Sequence, residues 1–331
     1  MPKVSVIVPI FGVEKYIERC AQSLFAQTID DNDVEFIFVN DCTEDASMEV
    51  LGHVVAEHPE KNVTILNHKA NLGLPTARRT GLKAAKGDFV IHCDSDDWVE
   101  PDYCKKLYET AITKKADIVV CGYWLNDGKT EHDDDSYDDN LLTNPRCAAS
   151  AAISLKSSPY VWNKLVRRSL YEAASVLFPK RFLAEDWALT VQLVMATEKI
   201  VFIEDKLYNY FINPASILRT PTKEMCLKKI TDEEENVRLV DNLLKSQNLG
   251  KQFRAEITKR KALTKSFVFP CTADDECRRA WRRTFPEADW AILFSPYVDR
   301  QYKKKHISLM FGLYAPLRRL YHVLRGLKAE I

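Results

Sequence analysis

The chain has 331 residues, of which 46% are hydrophobic, so it can bury one large α/β domain and a smaller second lobe. Lys plus Arg and Asp plus Glu number 47 each, which excludes a global charge that would recruit nucleic acid as a partner. The nine cysteines include no C-x-x-C pair, which argues against a disulfide framework or a structural zinc site and favours reduced, buried thiols.

The first ten residues lack the basic segment, apolar core and cleavage site of a secretory signal. No stretch of the sequence reaches the roughly 18 uninterrupted apolar residues that a transmembrane helix needs. We therefore expect a cytoplasmic protein whose membrane contact, where it exists, is peripheral at the inner face of the cytoplasmic membrane.

Short apolar strands alternate with amphipathic helices along residues 1–124. The predicted strands are Val4–Ile10, Glu35–Asn40, Asn62–Leu66, Asp88–Cys93 and Asp117–Trp124. The predicted helices are Glu14–Gln27, Asp45–Glu57, Pro75–Ala85 and a helix from Pro101 to about Thr113. This alternation predicts an α/β fold with a mostly parallel sheet flanked by helices.

The pattern is less regular after residue 124. The polar, acidic stretch Asn126–Asp139 predicts a solvated loop. Beyond it we predict a strand at Ile200–Ile203 and helices at Ala148–Leu155, Val161–Tyr171 and Glu185–Ala196. From Thr222 onward the chain has the pattern of helices with Lys and Arg on their faces. We divide it into a domain of residues 1–220, with halves 1–124 and 125–220, and a helical C-terminal region of residues 221–331, the boundary lying between Ile217 and Thr222.

The residues at the ends of four predicted strands are candidates for a ligand site. These exits are Pro9-Ile10-Phe11, Asn40-Asp41, His68 to Gly73, and Asp94-Ser95-Asp96-Asp97. Ligands of open α/β sheets bind at the carboxyl ends of the strands, so we expect all four exits to line one crevice.

Three carboxylates lie within the four residues that follow the fourth strand. Asp94, Asp96 and Asp97 repel one another unless a cation lies between them, and hard oxygen ligands suit Mg²⁺ or Mn²⁺. A metal held there would neutralise a departing diphosphate. The alternative is an Asp-rich turn that caps the helix starting near Pro101, with Asp97 as support on the helix side.

Several familiar nucleotide and hydrolase motifs are absent from the sequence. No G-x-G-x-x-G follows the first strand, and no G-x-x-x-x-G-K-[ST], H-E-x-x-H or G-x-S-x-G occurs. A nucleotide would therefore have to bind without these loops.

Five segments in order resemble bacterial family 2 glycosyltransferases of the GT-A fold, which is Rossmann-like. They are VSVIVPIFGVEKYIERCAQSLFAQT (residues 4–28), VEFIFVNDCTEDAS (34–47), NLGLPTARRTGLKAAKGDFVIHCDSDDWVEPD (71–102), VWNKLVRRSL (161–170) and LAEDWALTVQLV (183–194). The resemblance implies that residues 1–124 bind a nucleotide-sugar and that residues 125–220 face the acceptor.

The resemblance also implies roles for single residues. In the donor site, Pro9 and Phe11 approach the base, Asp41 hydrogen-bonds the uracil, and Arg78 contacts the nucleotide. Asp94 faces the ribose and the metal, and Asp96 is the principal ligand of Mn²⁺ or Mg²⁺. Asn71 and Ser95 complete the residues assigned to nucleotide-sugar binding. The chain departs from the family pattern at Phe11-Gly12, where Tyr-Asn is frequent, and at Arg79, where Asn is usual.

Glu185 and Asp186 resemble the family's acidic pair at the start of an acceptor-side helix. Inverting transfer needs a general base that takes the proton of the attacking hydroxyl, and Asp186 is our candidate, with Glu185 second. From the sequence alone, acids in the first turn of a helix also complement the helix dipole. Trp162, Asn163 and Lys164 are assigned to the acceptor side, and Tyr208-Asn209-Tyr210 with Ser216-Ile217 resemble a closing segment that is often a mobile loop.

A basic tail ends the sequence. Between residues 303 and 328, Lys and Arg alternate with apolar and aromatic residues, and no acid interrupts them. Such a segment suits an anionic membrane surface, and the alternative is a terminal helix docked on the catalytic domain.

Together these observations predict a metal-dependent, inverting glycosyltransferase of bacterial surface polysaccharide synthesis. Its donor would be a nucleotide-sugar, most consistent with a UDP-sugar, and its acceptor a saccharide or a lipid-linked saccharide. The alternatives are a sugar-phosphate nucleotidyltransferase and a non-catalytic sugar-nucleotide-binding or scaffold protein. The sequence leaves a homodimer open.

Overall fold

The protein consists of two compact units, Met1–Ala215 and Ser216–Ile331, in a computed structural model that describes residues 1–173, 176–213 and 222–313. The boundary expected between Ile217 and Thr222 falls at residues 214–221, outside the described ranges.

The first unit is an α/β structure, as predicted. The strands of its described residues are β1 (Val4–Ile10), β2 (Val34–Asn40), β3 (Val63–Asn67), β4 (Phe89–His92), β5 (Trp98–Val99), β6 (Ile118–Asn126), β7 (Glu131–His132), β8 (Lys164–Arg167) and β9 (Ile200–Phe211). Its helices are α1 (Ile17–Phe25), α2 (Ser47–Glu57), α3 (Leu74–Ala84), α4 (Tyr103–Lys114), α5 (Ala148–Ile153), α6 (Arg168–Ala173) and α7 (Glu185–Ala196), with a 3-10 turn at Asp139–Thr143.

The strands form one sheet in the order β3-β2-β1-β4-β8-β6-β9-β5, and β7 pairs with β6. Strands β1 to β4 are parallel, and in register Ile10 lies beside Asn40 and Asn40 beside Asn67. The predicted exits of these strands therefore meet at one edge of the sheet. The other half of the sheet is mixed, because β8 runs antiparallel to both β4 and β6.

Close packing of α3 on the sheet sets the position of this edge. A Cβ atom on Gly81 would lie 2.4 Å from the Ile7 side chain and 3.3 Å from that of Val39, so only a glycine lets the helix approach β1 and β2 this closely. Arg78, one turn earlier on α3, is thereby held at the carboxyl edge of the sheet.

Three sequence predictions for this unit were wrong in detail. Residues 161–171 were predicted as one helix, but Lys164–Arg167 form β8 and α6 begins only at Arg168. The apolar residues of a short, fully buried strand fit a helical stripe equally well, which explains the error.

Strand β9 extends to Phe211, eight residues beyond the predicted strand Ile200–Ile203. It therefore includes Tyr208-Asn209-Tyr210, which had been expected to form a closing loop, whereas Ser216-Ile217 lie outside the described residues. The register of β6 and β9 shifts at Gly122, where backbone and side-chain atoms of β9 occupy the space of a Cβ. This bulge interrupts the alternation of inward and outward side chains by which β9 would be recognised as one long strand.

The acidic stretch 126–139 is not entirely a solvated loop. Asn126 ends β6, Glu131–His132 form β7, and Asp139 is buried, where it accepts hydrogen bonds from Ser158 N at 2.7 Å and Ser158 Oγ at 2.8 Å. The buried serine partner, which local sequence does not reveal, stabilises Asp139 inside the fold.

The second unit is helical, as predicted. Its described helices are α8 (Lys223–Ser246), α9 (Arg254–Ser266), α10 (Asp275–Arg283), α11 (Asp289–Phe294) and α12 (Arg300–Met310), with 3-10 turns at Phe269–Cys271 and Pro286–Ala288. In the described ranges, every helix is too short or too polar to cross a bilayer.

Candidate active site

The loop of residues 94–97 after β4, the acidic loop, is anchored to β9. Asp97 is fully buried and accepts hydrogen bonds from Tyr208 Oη and Phe211 N, both at 2.7 Å, and Asp94 N donates to Tyr208 Oη at 3.0 Å. Burial, and then the charges of Asp96 and Asp94, raise the pKa of Asp97 well above its usual value. The cluster does not cap α4, whose N-cap residue is Asp102, so Asp97 supports the loop through β9 rather than through that helix.

Arg19 fixes the backbone of this loop at Asp96. Its guanidinium donates to the Asp96 carbonyl oxygen at 2.8 Å and lies 3.8 Å from the centre of the Trp98 ring and 4.9 Å from that of Phe211. The guanidinium lies over both rings, so Arg19 connects α1, the acidic loop and the end of β9.

A buried guanidinium joins the acidic loop to the start of α7. Arg78 on α3 is 0% exposed, forms an ion pair with Asp94 at 2.6 Å, and is also paired with Glu185 and Asp186. Burial opposes the charge of Arg78, but Asp186 and Asp94 raise its pKa overall. Burial also raises the pKa of Asp94, an effect that Arg78 opposes. Asp94, predicted to lie on the nucleotide-sugar side, and the Glu185-Asp186 pair, predicted to lie on the acceptor side, thus share the Arg78 guanidinium.

The two acids at the start of α7 differ in their access to solvent. The Glu185 side chain is 4% exposed and that of Asp186 is 23% exposed. The preceding residue, Ala184, has φ 60°, a left-handed conformation that turns the chain into the helix. A substrate hydroxyl can therefore reach Asp186 more readily than Glu185.

Uncharged polar groups lie behind this charge cluster. His92, the last residue of β4, and Tyr171 on α6 are buried, and within the described ranges neither His92 ring nitrogen nor Tyr171 Oη has a hydrogen-bond partner. Burial, reinforced by the charge of Arg78, lowers the pKa of His92 to about 3, so the ring is neutral.

The expected nucleotide residues surround the exits of β1, β2 and β3. Asp41 accepts hydrogen bonds from His68 Nδ1 at 2.7 Å, Leu72 N at 2.9 Å and Gly73 N at 2.7 Å, so it shapes the loop after β3. His68 Nε2 in turn contacts Thr80 Oγ1 on α3 at 2.9 Å. Gly73 has φ 87°, which favours glycine at this turn.

The other residues assigned to the donor differ in exposure. Phe11 is 54% exposed, and Asn71 is also exposed and accepts from Gly73 N at 3.0 Å. Pro9 and Ser95 are buried. Phe11 and Asn71 are therefore free to contact a ligand directly, whereas Pro9 and Ser95 shape the walls.

The residues assigned to the acceptor side are all buried. Trp162 stacks between Tyr160 and Tyr208, with ring centres 4.5 and 4.3 Å away, and Asn163 Nδ2 bonds Ser158 Oγ at 3.0 Å. Lys164 donates to the carbonyl oxygens of Ser158 at 3.0 Å and Tyr160 at 2.8 Å, and burial lowers its pKa to about 8. These residues therefore belong to the packed interior and not to a solvent-facing surface.

The acidic loop has the donor chemistry that a divalent cation requires. Asp94 and Asp96 offer carboxylate oxygens, the ligands that Mg²⁺ and Mn²⁺ prefer. Burial and the charge of Asp94 raise the pKa of Asp96 to about 6. No group of three or more His, Cys, Asp or Glu residues close enough to hold a metal occurs among the described residues. Two carboxylates therefore fit an ion that keeps further positions for phosphate and water.

Comparison with known proteins identifies the family. Residues 5–179 match the model of Glycosyl transferase family 2. The chain belongs to this family. It is 36% identical to the uncharacterized glycosyltransferase EpsJ of Bacillus subtilis over 230 residues, which cover 67% of this chain and 65% of EpsJ. The chain thus spans just under two thirds of the length of that relative.

Solved structures of two glycosyltransferases show the same GT-A fold. TarS of S. aureus (residues 1–349) in complex with UDP-GlcNAc matches with a TM-score of 0.70 at 18% identity, over 97% of this chain and 91% of TarS. The mannosyltransferase PcManGT of Pyrobaculum calidifontis in complex with GDP-Man and Mn²⁺ matches with a TM-score of 0.58 at 16% identity, over 97% and 88%. The predicted fold class is confirmed.

The sequence did not indicate the contacts that three residues make within the candidate site. Arg19, Tyr208 and His68 contact site residues that are distant in the chain. Arg19 occupies one of several polar positions of an amphipathic helix, and Tyr208 was noted only as part of a closing segment. Neither pattern by itself indicates a partner in the acidic loop.

Proposed function

We propose that the protein is a metal-dependent, inverting glycosyltransferase, and that it transfers a sugar from a UDP-sugar to a saccharide or lipid-linked saccharide in surface polysaccharide synthesis. The observation that carries the proposal is the Arg78 cluster, in which one buried cation binds Asp94 of the acidic loop and Asp186 of α7. A donor-side acid and a candidate base are thereby held in one rigid site.

Asp94 and Asp96 are the residues that would hold Mn²⁺ or Mg²⁺. When bound, such an ion neutralises charge on the departing diphosphate. The Arg19 contact to the Asp96 carbonyl and the Tyr208 contacts to Asp94 N and Asp97 support a fixed loop geometry without using the carboxylates of Asp94 and Asp96. Asp96 therefore keeps its carboxylate for a metal, and Asp94, whose Oδ1 pairs with Arg78, keeps Oδ2 for a metal or a ribose.

Asp186 is the proposed general base. Inversion requires the acceptor hydroxyl to attack the anomeric carbon from the face opposite the nucleoside diphosphate, while the base takes the hydroxyl proton. The partly exposed carboxylate of Asp186, oriented by Arg78, suits this role better than the buried Glu185. Glu185 would then help to hold Arg78 in place.

The donor side supports a nucleotide-sugar held by loops rather than by a glycine-rich phosphate motif. Asp41 holds the turn at Gly73, and Phe11, Asn71, Pro9 and Ser95 complete the proposed donor residues. The complex of TarS with UDP-GlcNAc favours a UDP-sugar, and that of PcManGT with GDP-Man makes GDP-sugars the control.

Calorimetric titration of UDP-glucose, UDP-galactose, their N-acetyl forms, GDP-mannose and dTDP-glucose, each with Mn²⁺, tests the donor assignment. We expect at least one UDP-sugar to bind at least about tenfold more tightly than GDP-mannose and dTDP-glucose, because Asp41 is expected to recognise uracil. Binding of a GDP- or dTDP-sugar alone would contradict the UDP assignment.

The acceptor and the place of action are part of the same proposal. The basic tail of residues 303–328 would hold the enzyme at the inner face of the cytoplasmic membrane, where a lipid-linked acceptor is presented; residues 314–328 lie outside the described ranges. Membership of the glycosyltransferase family favours glycosyl transfer over the nucleotidyltransferase and scaffold alternatives. A homodimer stays a prediction.

A further inference from the structure

The outer side of α11 presents large aromatic residues to solvent. Trp290 is 56% exposed and Phe294 is 80% exposed, whereas Ile292 between them is fully buried. Residues four apart lie on the same side of a helix, and the two rings stack with centres 6.2 Å apart. This short helix is therefore apolar on both its inner and its outer side.

The outer side of α12 continues this surface. Arg300, Lys304, Ile307 and Phe311 follow one another at helical spacing and are exposed, while His306 and Leu309 on the other side are buried. The Phe311 ring centre lies 6.5 Å from that of Trp290. Trp290, Phe294 and Phe311 thus form one continuous surface, the aromatic patch, and Arg300 and Lys304 extend from it along α12.

Positive charge surrounds the aromatic patch. Residues 282–313 contain six Lys or Arg and three Asp or Glu. The three acids are already engaged, because Asp289 pairs with Lys265 at 2.9 Å, Glu287 pairs with Lys261 at 3.3 Å, and Asp299 caps α12. Among the described residues, Arg300 and Lys304 have no carboxylate partner. The Arg282 guanidinium also lies beside Gly312, next to Phe311.

We propose that the aromatic patch docks the second unit on an anionic lipid bilayer. Tryptophan and phenylalanine favour the boundary between head groups and acyl chains, and lysine and arginine beside them bind anionic head groups. Contiguous exposed apolar surface in a protein marks an interaction site, and the unpaired cations at its edge select a negatively charged partner. This proposal does not depend on the assigned donor or metal, and it uses α11 in addition to the basic tail.

Co-sedimentation of the full chain with phosphatidylcholine vesicles, with and without phosphatidylglycerol, tests the proposal. We expect binding only to vesicles that contain phosphatidylglycerol, with weaker binding at high salt because the cations are exposed. The double variant Trp290→Ser/Phe294→Ser should bind at least about tenfold more weakly, since two apolar side chains lose their insertion. The double variant Arg300→Gln/Lys304→Gln should reduce the salt dependence of vesicle binding, because two exposed cations are removed.

Ile112→Ser is the matched control, because Ile112 is 50% exposed on α4 of the first unit and should leave vesicle binding unchanged. UDP-sugar binding, measured in parallel, should be equal in all variants, which separates lipid docking from the donor site. Equal binding of the wild type and the Trp290→Ser/Phe294→Ser variant would overturn the proposal. The absence of vesicle binding by the wild type would also overturn it. A third contradicting result is a wild-type dimer in light scattering that the double variant dissociates, since the patch would then contact a second copy.

Discussion

Arg78 contacts carboxylates from two segments that are far apart in the sequence, Asp94 after β4 and the Glu185-Asp186 pair at the start of α7. The family resemblance led us to expect a contact between Arg78 and the nucleotide, which stays a prediction. The sequence around Arg78 on α3 does not reveal that its guanidinium is buried, because the carboxylates that pair with it become adjacent only when the sheet forms. Asp94 and Asp96 stood out because they follow a buried strand, whereas Asp186 was assigned only through the family resemblance.

Replacing Asp186 by Asn tests the proposed base at this scale. An amide cannot accept the proton of the acceptor hydroxyl, so turnover should fall by about 10²- to 10⁴-fold, while the donor Kd stays within about twofold. UDP release in the presence of acceptor, with donor titration alongside, measures both. Asp205→Asn, which removes an exposed carboxylate paired with Lys106, is the control. Wild-type turnover in Asp186→Asn would place the base elsewhere.

Strand β9 connects the elements of the site. It provides Tyr208 and Phe211 to the acidic loop and stacks Tyr208 on Trp162. The first four parallel strands and their exits could be predicted because each is a short apolar run that alternates with a helix. Strands β8 and β9 could not be delimited, since one has only four residues and the other has a bulge opposite Gly122.

Tyr208→Phe tests the role of β9. It removes the hydroxyl that donates to Asp97 and accepts from Asp94 N, so we expect a loss of about 1 to 3 kcal/mol in the free energy of unfolding and weaker Mn²⁺ binding. Tyr103→Phe is the matched control, because its hydroxyl donates to the Trp162 carbonyl oxygen at 2.5 Å rather than to the loop. Urea unfolding and metal titration measure both effects. Equal metal affinity in the two variants would contradict the anchoring role.

At the scale of the whole molecule, buried histidines make stability depend on pH. His306 on α12 is 0% exposed, packs against the Trp281 ring with centres 4.9 Å apart, and lies 3.4 Å from Asp289. Burial lowers its pKa from 6.5 to about 4, although Asp289 opposes the change. Between these two values the unfolded chain binds a proton that the folded chain does not. Stability is therefore complete above pH 6.5 and falls as the pH decreases towards 4.

The expected loss from His306 at pH 5 is about 2 kcal/mol of unfolding free energy. His306→Phe keeps an aromatic ring without a titratable group, so its stability should decrease less between pH 7.5 and pH 5, the difference from wild type being about 2 kcal/mol. Urea unfolding followed by fluorescence at the two pH values measures this difference. An equal decrease in both proteins would show that His306 takes up its proton in the folded state.

The helical pattern of the described residues from 222 onward followed from periodicity. The aromatic patch did not, because an exposed Trp290 and a buried Trp281 look alike until the helices pack. At the donor site, the sequence identified the acids but not the contacts from Arg19 and Tyr208 that hold their loop.

Metal-dependent binding of UDP to wild type and to Asp96→Asn tests the central claim most directly. We expect Mn²⁺ to strengthen UDP binding by at least about tenfold in the wild type, because the ion would join the diphosphate to Asp96 and Asp94. In Asp96→Asn most of that gain should be lost, while Asp205→Asn should retain it. Near-normal metal-dependent affinity in Asp96→Asn would contradict the assignment of Asp96 as the principal metal ligand.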